Sequence, residues 1–173
     1  MSYIITPLLG ELLALQTEIF EINKANGFWE MGVENRSFAQ HISLVHSEVS
    51  EAVEADRKDL NDDKLIEYKG IDVELADVAI RILDWTGANK VVYYTTEATS
   101  DFEVKYTDFS EFSAEIHLLL STWYLTNEPA WGFKVLDEIV TYVEANNIPF
   151  MEIVHKKLQK NRERGYKHGG KNY

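Results

Sequence analysis

Four carboxylates stand in two pairs, and the spacing within each pair places both members on one face of a helix. Glu48 and Glu51 lie three residues apart, and Glu74 and Asp77 repeat that spacing after 22 intervening residues. Side chains three apart are neighbours on a helix surface. Carboxylates brought together need a compensating charge when they are buried, and all-oxygen ligand sets are what Mg²⁺ and Mn²⁺ prefer. The pattern therefore predicts a metal site built from these four acids.

The second pair begins a longer polar stripe, at positions i, i+3, i+7 and i+10 of one segment: Glu74, Asp77, Arg81 and Asp84. Every other residue from 73 to 83 is apolar or alanine. Such a segment is expected to be a buried helix whose only polar face is the stripe. An alternative without metal remains open, in which the first pair is a solvated helix face and Arg81 pairs with Asp77 and Asp84.

The elements that must position these acids are predicted to be helices. Pro7 to about Lys24 forms the first, and Ser37 caps a second that ends near Lys58. The stripe lies on a third helix, from Asp72 to about Thr86, which Gly87 would end. Three more are expected over 108–127 and 130–146 and after Pro149, while 91–96 and 102–106 have β-like or irregular character. The predicted fold is an all-α helical bundle, a single domain over 1–173 with an insert at about 88–134.

Composition and charge narrow the classes of function. The 173 residues are 45% hydrophobic and 12% aromatic, which indicates a folded domain, and no apolar stretch reaches the ~20 residues of a membrane span. The absence of cysteine excludes thiolate zinc sites, and a cytoplasmic location is expected. Residues 155–173 hold seven Lys/Arg and one acid, a net charge of about +6. Because the whole chain carries a net charge of −12, the remaining residues carry about −18. An acidic body argues against general nucleic-acid binding, and its basic end suits an anionic ligand.

Several catalytic signatures are missing from the sequence. It contains no phosphate-binding Gly-x-x-x-x-Gly-Lys-Ser/Thr loop, no His-Glu-x-x-His pair, no Gly-x-Ser-x-Gly elbow and no His-Asp dyad. His41 and His117 are interpreted as surface or core residues and not as ligands.

The two carboxylate motifs resemble those of the MazG-like all-α nucleoside triphosphate pyrophosphohydrolases, especially the small single-domain members common in bacteriophages. The residues from Leu75 to Leu83, within and after the second motif, share this resemblance. Gly27-Phe28-Trp29 upstream and Glu51 to Arg57 agree with that family, as do Lys157-x-x-x-Asn161-x-x-Arg164 and His168-Gly169-Gly170-Lys171 in the tail. The likeness covers roughly 26–88 and 151–173. Two departures are Ser47, where the family often has glutamate, and Gly165, where it commonly has proline.

The resemblance implies hydrolysis of nucleoside or deoxynucleoside triphosphates, guanine nucleotides among them, to the monophosphate and pyrophosphate. Two or more Mg²⁺ ions, or Mn²⁺ in their place, would be held by the four acids, and Glu48 or Glu51 would be the general base. The residues expected to bind substrate are Trp29, Arg81, Lys157, Asn161, Arg164 and Lys171. Trp29, or its neighbour Phe28, is expected either to stack on the base or to pack in the core. A homo-dimer or homo-tetramer is expected, in the host cytoplasm if the protein is encoded by a phage.

Two other classes of function remain open from the sequence. One is a non-catalytic helical module that binds nucleotide or metal, and the other is an adaptor that uses its basic C-terminal tail. Stabilisation by Mg²⁺ or Mn²⁺ would favour the enzyme over the adaptor.

Overall fold

A computed structural model describes residues 5–100, 106 and 108–166. Within these residues the secondary structure is helical, with one isolated antiparallel bridge between Asn61 and Lys69 and no strand. The helices are α1 (Pro7–Ala14), α2 (Gln16–Ala25), α3 (Phe38–Lys58), α4 (Gly70–Ala88), α5 (Glu97–Ser100), α6 (Phe109–Thr126), α7 (Ala130–Ala145) and α8 (Phe150–Glu163), with a 3-10 turn at Val33–Asn35. The predicted all-α fold is confirmed.

Side-chain caps explain where several helices begin. The hydroxyl of Thr6 accepts from the backbone N–H of Leu9 at 3.2 Å, and Ser37 caps α3 through Gln40 N–H at 3.3 Å. Asp108 caps α6 in the same way, and Asn127 ends that helix in the left-handed conformation. Such bonds satisfy the backbone N–H groups that a first helical turn leaves unpaired. These helix starts follow from local sequence and were predicted correctly.

Two helix boundaries differ from the predictions. The predicted first helix is divided into α1 and α2 at Leu15, whose N–H bonds to Leu12 at 3.1 Å. Gly87 does not end α4, which continues to Ala88. A Cβ on Gly87 would lie 2.8 Å from the backbone oxygen of Gln16, so its lack of a side chain permits close packing against the chain of α2.

Helix α4 lies at the centre of the bundle and packs against α2, α3, α7 and α8. The surface of α4 is apolar and buried nearly all round, apart from the polar stripe. Helix α6 packs against α3 and α7, and Phe112, Ile116 and Trp123 are buried. The part of the predicted insert from 109 onward therefore belongs to the bundle core. His41 is also buried, stacks on Trp85 with ring centroids 4.7 Å apart, and finds no hydrogen-bond partner for Nε2 in the part of the chain that the structure describes.

The earlier part of the predicted insert runs along α7. Residues 91–96 form no strand, and the second β-like stretch, 102–105, lies outside the described residues. Tyr93 donates to Asp137 at 3.2 Å, and Tyr94 donates to Glu128. Tyr106 donates to Glu138, at 2.6 Å, and that carboxylate also pairs with the buried Lys134 at 2.7 Å. Tyrosine–carboxylate bonds thus attach this segment to α7 and the turn before it.

No helix among the described residues is both long and apolar enough to cross a membrane.

Candidate functional site

The polar stripe of α4 faces a cleft of about 200 Å³. All four stripe residues line it, which confirms that the stripe is the open face of an otherwise buried helix. Helix α3 forms a second wall with Glu48 and Glu51, and α8 forms a third. The remaining lining residues are Asn23, Phe28, Arg36, Leu44, Asp62, Lys64, Ile80, Lys157, Asn161 and Arg164.

Three of the predicted acids come together in this cleft. Glu48, Glu74 and Asp77 each offer a carboxylate oxygen, and the three oxygens lie within 4.8 Å of one another. Burial, with the charges of Asp77 and Glu48, raises the pKa of Glu74 to about 9. Burial also raises the pKa of Asp77, against the opposing charge of Lys157. Glu74 therefore holds a proton at neutral pH, chiefly because burial disfavours its charged form.

The fourth predicted acid, Glu51, does not join this group. Its side chain is exposed at the rim of the cleft and accepts a hydrogen bond from Ser47 at 3.2 Å. Successive helical residues are rotated by about 100°. Residues three apart therefore point about 60° away from each other. On α3 this arc runs from the buried side at Glu48 to the solvent side at Glu51, whereas on α4 both Glu74 and Asp77 lie within the part of the arc that faces the cleft.

Two cations pair with the acids. Arg81 donates from Nε to Glu48 at 2.6 Å, and Lys157 Nζ lies 2.5 Å from Asp77. The metal-free alternative correctly expected Arg81 to pair with a carboxylate but named the wrong partners, because Arg81 reaches across to α3. Burial disfavours the charge on Lys157, yet the carboxylate of Asp77 outweighs it and raises the pKa of Lys157. Metal binding would have to share or displace these two pairs.

Three residues of the tail motif lie on α8 and directly after it. Lys157, Asn161 and Arg164 all line the cleft from α8 and its end. Asn161 is buried, its backbone oxygen accepts from Asn26 at 2.9 Å, and its side-chain oxygen has no hydrogen-bond partner among the described residues. Buried oxygens without partners are rare, so this one is available to a water or ligand donor in the cleft. Lys171, with the motif from His168 onward, lies outside the described residues.

Trp29 lies behind the wall of the cleft and does not line it. It is 5% exposed, packs against Phe20 and Trp85, and donates from Nε1 to Asp84 at 2.8 Å. The predicted stacking of Trp29 on a base does not match this position, and its core alternative does. Phe28 lines the cleft in its place. Burial raises the pKa of Asp84 to about 6, although the Trp29 hydrogen bond opposes that shift.

Sequence reasoning missed four polar residues of the cleft: Asn23, Arg36, Asp62 and Lys64. Arg36 lies over the Trp29 ring, 4.5 Å from its centroid, and donates to the backbone oxygen of Phe28. Asp62 accepts from the backbone N–H groups of Lys64 and Leu65 at 2.9 and 2.5 Å, which fixes the turn between α3 and α4. These residues come from turns and the end of α2, where no periodic pattern marks a binding face.

The geometry suits a divalent cation with oxygen ligands, set beside positive charge. An all-carboxylate group fits Mg²⁺ or Mn²⁺ by ligand type, and a bound metal would favour the ionised form of Glu74, whose pKa is raised by burial and by the charges of Asp77 and Glu48. No protein family, curated protein or solved structure matches this chain. The likeness to MazG-like enzymes stays a hypothesis that rests on the motifs quoted above.

Proposed function

We propose that this protein is a Mg²⁺-dependent hydrolase that cleaves nucleoside or deoxynucleoside triphosphates to the monophosphate and pyrophosphate. The observation that carries the proposal is the group of Glu48, Glu74 and Asp77, held on two helices and facing Lys157 across one cleft. A structural role alone does not require three carboxyl groups gathered around an open cleft. A triphosphate, by contrast, needs both metal ions and protein cations to neutralise its charge.

Glu48, Glu74 and Asp77 would hold the metal, with Mn²⁺ able to replace Mg²⁺. When bound, the metal supplies electrophilic assistance to the phosphates and lowers the pKa of a coordinated water. Glu51 is the better general base, because Arg81 already occupies Glu48, whereas Glu51 stands apart at the rim. The attacking water gives its oxygen to phosphorus and a proton to Glu51, and pyrophosphate leaves as the bond between the α and β phosphates breaks.

The α8 wall would bind the phosphates. Lys157 and Arg164 provide charge-assisted hydrogen bonds, and the side-chain oxygen of Asn161 accepts from a bound water. The cleft, at about 200 Å³, is smaller than the roughly 300–1,000 Å³ of pockets that enclose whole ligands. It therefore suits the phosphate end of a nucleotide, and the base would extend toward Phe28 and Arg36.

A second candidate function is a non-catalytic module that binds nucleotide or metal. The pairs Arg81–Glu48 and Lys157–Asp77 favour it, because they already neutralise two of the acids without metal. The adaptor alternative is weaker, since Lys157 and Arg164 face the cleft and not an outer surface.

The test is a panel of all common NTPs and dNTPs with Mg²⁺, in which pyrophosphate and orthophosphate are measured separately. We expect pyrophosphate and a monophosphate from at least one substrate. Glu48→Gln, Glu74→Gln and Asp77→Asn should each lower turnover by about a hundredfold or more. Glu144→Gln, which changes an exposed acid on α7, is the matched control and should keep full activity.

Two outcomes would contradict the proposal. Nucleotide binding without any product would support the non-catalytic module. Full activity in any two of the three cleft variants would place the reaction elsewhere.

A further inference from the structure

Two histidines on neighbouring helices face each other outside the cleft. His46 on α3 and His117 on α6 place their Nδ1 atoms 2.7 Å apart. Their ring planes are nearly parallel, with centroids 5.0 Å apart and an interplanar angle of 13°. Both side chains are partly exposed, and neither lines the cleft that holds the carboxylates. The pair is therefore a separate site with its own access to solvent.

The helices on either side hold both rings in place. His46 is adjacent to the buried Val45, and His117 is adjacent to the buried Ile116. Each histidine also has a serine one turn later, and the hydroxyls of Ser50 and Ser121 both donate to the histidine backbone oxygen at 2.8 Å. Helices α3 and α6 pack against each other, so the approach of the two rings follows from core packing and not from free side-chain motion.

The two facing Nδ1 atoms have the chemistry of a pair of metal ligands, one from each helix. A neutral imidazole carries one N–H and one bare nitrogen, so one Nδ1 donates here and the other accepts. A metal bound to both nitrogens would replace the shared proton, and the ring that loses it would take a proton on Nε2, which leaves the ring charge unchanged. With metal–nitrogen bonds of about 2.0–2.1 Å, two tetrahedral ligands stand roughly 3.3 Å apart. The two Nδ1 atoms would thus have to separate by about 0.6 Å, and each ring would have to turn so that its nitrogen lone pair points at the metal.

We propose that His46 and His117 bind one transition-metal ion, Zn²⁺ or Cu²⁺, through their Nδ1 atoms, with water completing the coordination. Imidazole suits these softer ions, whereas the carboxylates of the cleft suit Mg²⁺ and Mn²⁺. The chain would therefore carry two metal sites of different selectivity, both with ligands on α3. No sequence spacing could reveal this pairing, because 71 residues separate the two histidines.

The first test is calorimetric titration with Zn²⁺ and with Cu²⁺ in the presence of saturating Mg²⁺, which keeps the carboxylates occupied. We expect one ion per chain, and affinity at least about tenfold lower in His46→Gln and in His117→Gln. His155→Gln changes an exposed histidine on α8 and is the matched control. It should bind as the parent does, as should Glu48→Gln, which separates this site from the proposed catalytic one. Unchanged affinity in either variant of the pair would overturn the proposal.

The second test needs no variant and so does not depend on variant folding. The electron paramagnetic resonance spectrum of the Cu²⁺-loaded parent protein, with Mg²⁺ in excess, should show hyperfine coupling to two imidazole nitrogens. A spectrum with oxygen ligands only, or with a single nitrogen, would also overturn the proposal.

Discussion

The three carboxyl groups of the cleft differ in whether a neighbouring cation neutralises their charge. Asp77 has Lys157 beside it, and Glu48 has Arg81. Glu74 is instead protonated at neutral pH, because burial and the adjacent Asp77 and Glu48 charges raise its pKa to about 9. Amide substitutions at these residues should therefore change the free energy of unfolding of the metal-free protein by different amounts, although each removes a proposed metal ligand.

Glu74→Gln should leave the metal-free free energy of unfolding at pH 7 within about 0.5 kcal/mol of the parent, since an amide resembles the protonated acid it replaces. Asp77→Asn should lower it by about 2–4 kcal/mol, because Lys157, 7% exposed in its side chain, loses its partner. Urea unfolding in the presence of a chelator measures both. Equal losses in the two variants would mean that Glu74 is charged and paired in the folded protein.

The pairing of acids and cations is also what sequence could not supply. Helical spacing was sufficient to bring Glu74 and Asp77 onto one face, and the motif pair correctly placed Glu48 near them. It did not predict that Glu51 would turn to the rim. Nor could it predict the Trp29–Asp84 hydrogen bond, which joins residues 55 apart and depends on the packing of the turn after α2 against α4.

At the scale of elements, the close approach of α2 and α4 rests on a glycine. Gly87→Ala should destabilise the protein by about 1–3 kcal/mol, because the new Cβ would lie 2.8 Å from the backbone oxygen of Gln16. Gly10→Ala is the matched control within another helix, where the nearest atom would be 3.8 Å away. It should be neutral or stabilising by up to about 1 kcal/mol. Thermal unfolding of both variants checks this, and a Gly87→Ala protein as stable as the parent would contradict it.

The stability of the protein is expected to depend on pH through Asp137, the α7 residue that accepts a hydrogen bond from Tyr93. Burial raises the pKa of Asp137 to about 6, although the Tyr93 hydrogen bond opposes the shift. The folded protein therefore holds this proton more tightly than the unfolded chain, whose aspartates titrate near 3.9. Stability from this group is full below about pH 4, falls as pH rises from about 4 to 6, and stays reduced above that.

Asp137→Asn should accordingly raise the free energy of unfolding by about 1–3 kcal/mol at pH 7–8, and the gain should vanish near pH 4. The amide oxygen can still accept from Tyr93. Glu144→Gln, an exposed acid on the same helix, should show no such gain. Denaturant unfolding at a series of pH values measures the difference, and a loss of stability at pH 8 would contradict it.

Helix positions were largely predictable, because caps and periodicity are local. Ser37 and Asp108 mark the starts of α3 and α6 by their own side-chain bonds. The division at Leu15 and the continuation of α4 through Gly87 were not predicted, since both depend on how α2 packs against its neighbours. The β-like pattern of 91–96 reflects tyrosines that bond to carboxylates on α7 and in the turn before it, and not a strand.

For the whole molecule, a net charge of −12 makes divalent cations stabilising in two different ways. Screening of the negative charges stabilises any variant. Binding of Mg²⁺ at the carboxylate group adds about 2.7 kcal/mol to the free energy of unfolding when the Mg²⁺ concentration is one hundred times the Kd. Mg²⁺ should raise the Tm of the parent well above the rise given by NaCl at equal ionic strength. Glu48→Gln combined with Glu74→Gln should respond equally to the two salts. An equal response in the parent would mean that no specific site is filled.

The central position of α4 also determines how the protein opens. This helix contacts α2, α3, α7 and α8, so no subset of neighbours can leave without exposing part of its apolar surface. Its amide hydrogens should therefore exchange with solvent only when the entire domain unfolds, while those of peripheral turns exchange through small local openings. Because Glu74 and Asp77 are carried by that same helix, these two carboxylates should keep their positions in partly open forms of the protein, whereas Glu48 keeps its place beside them only while α3 stays packed against α4.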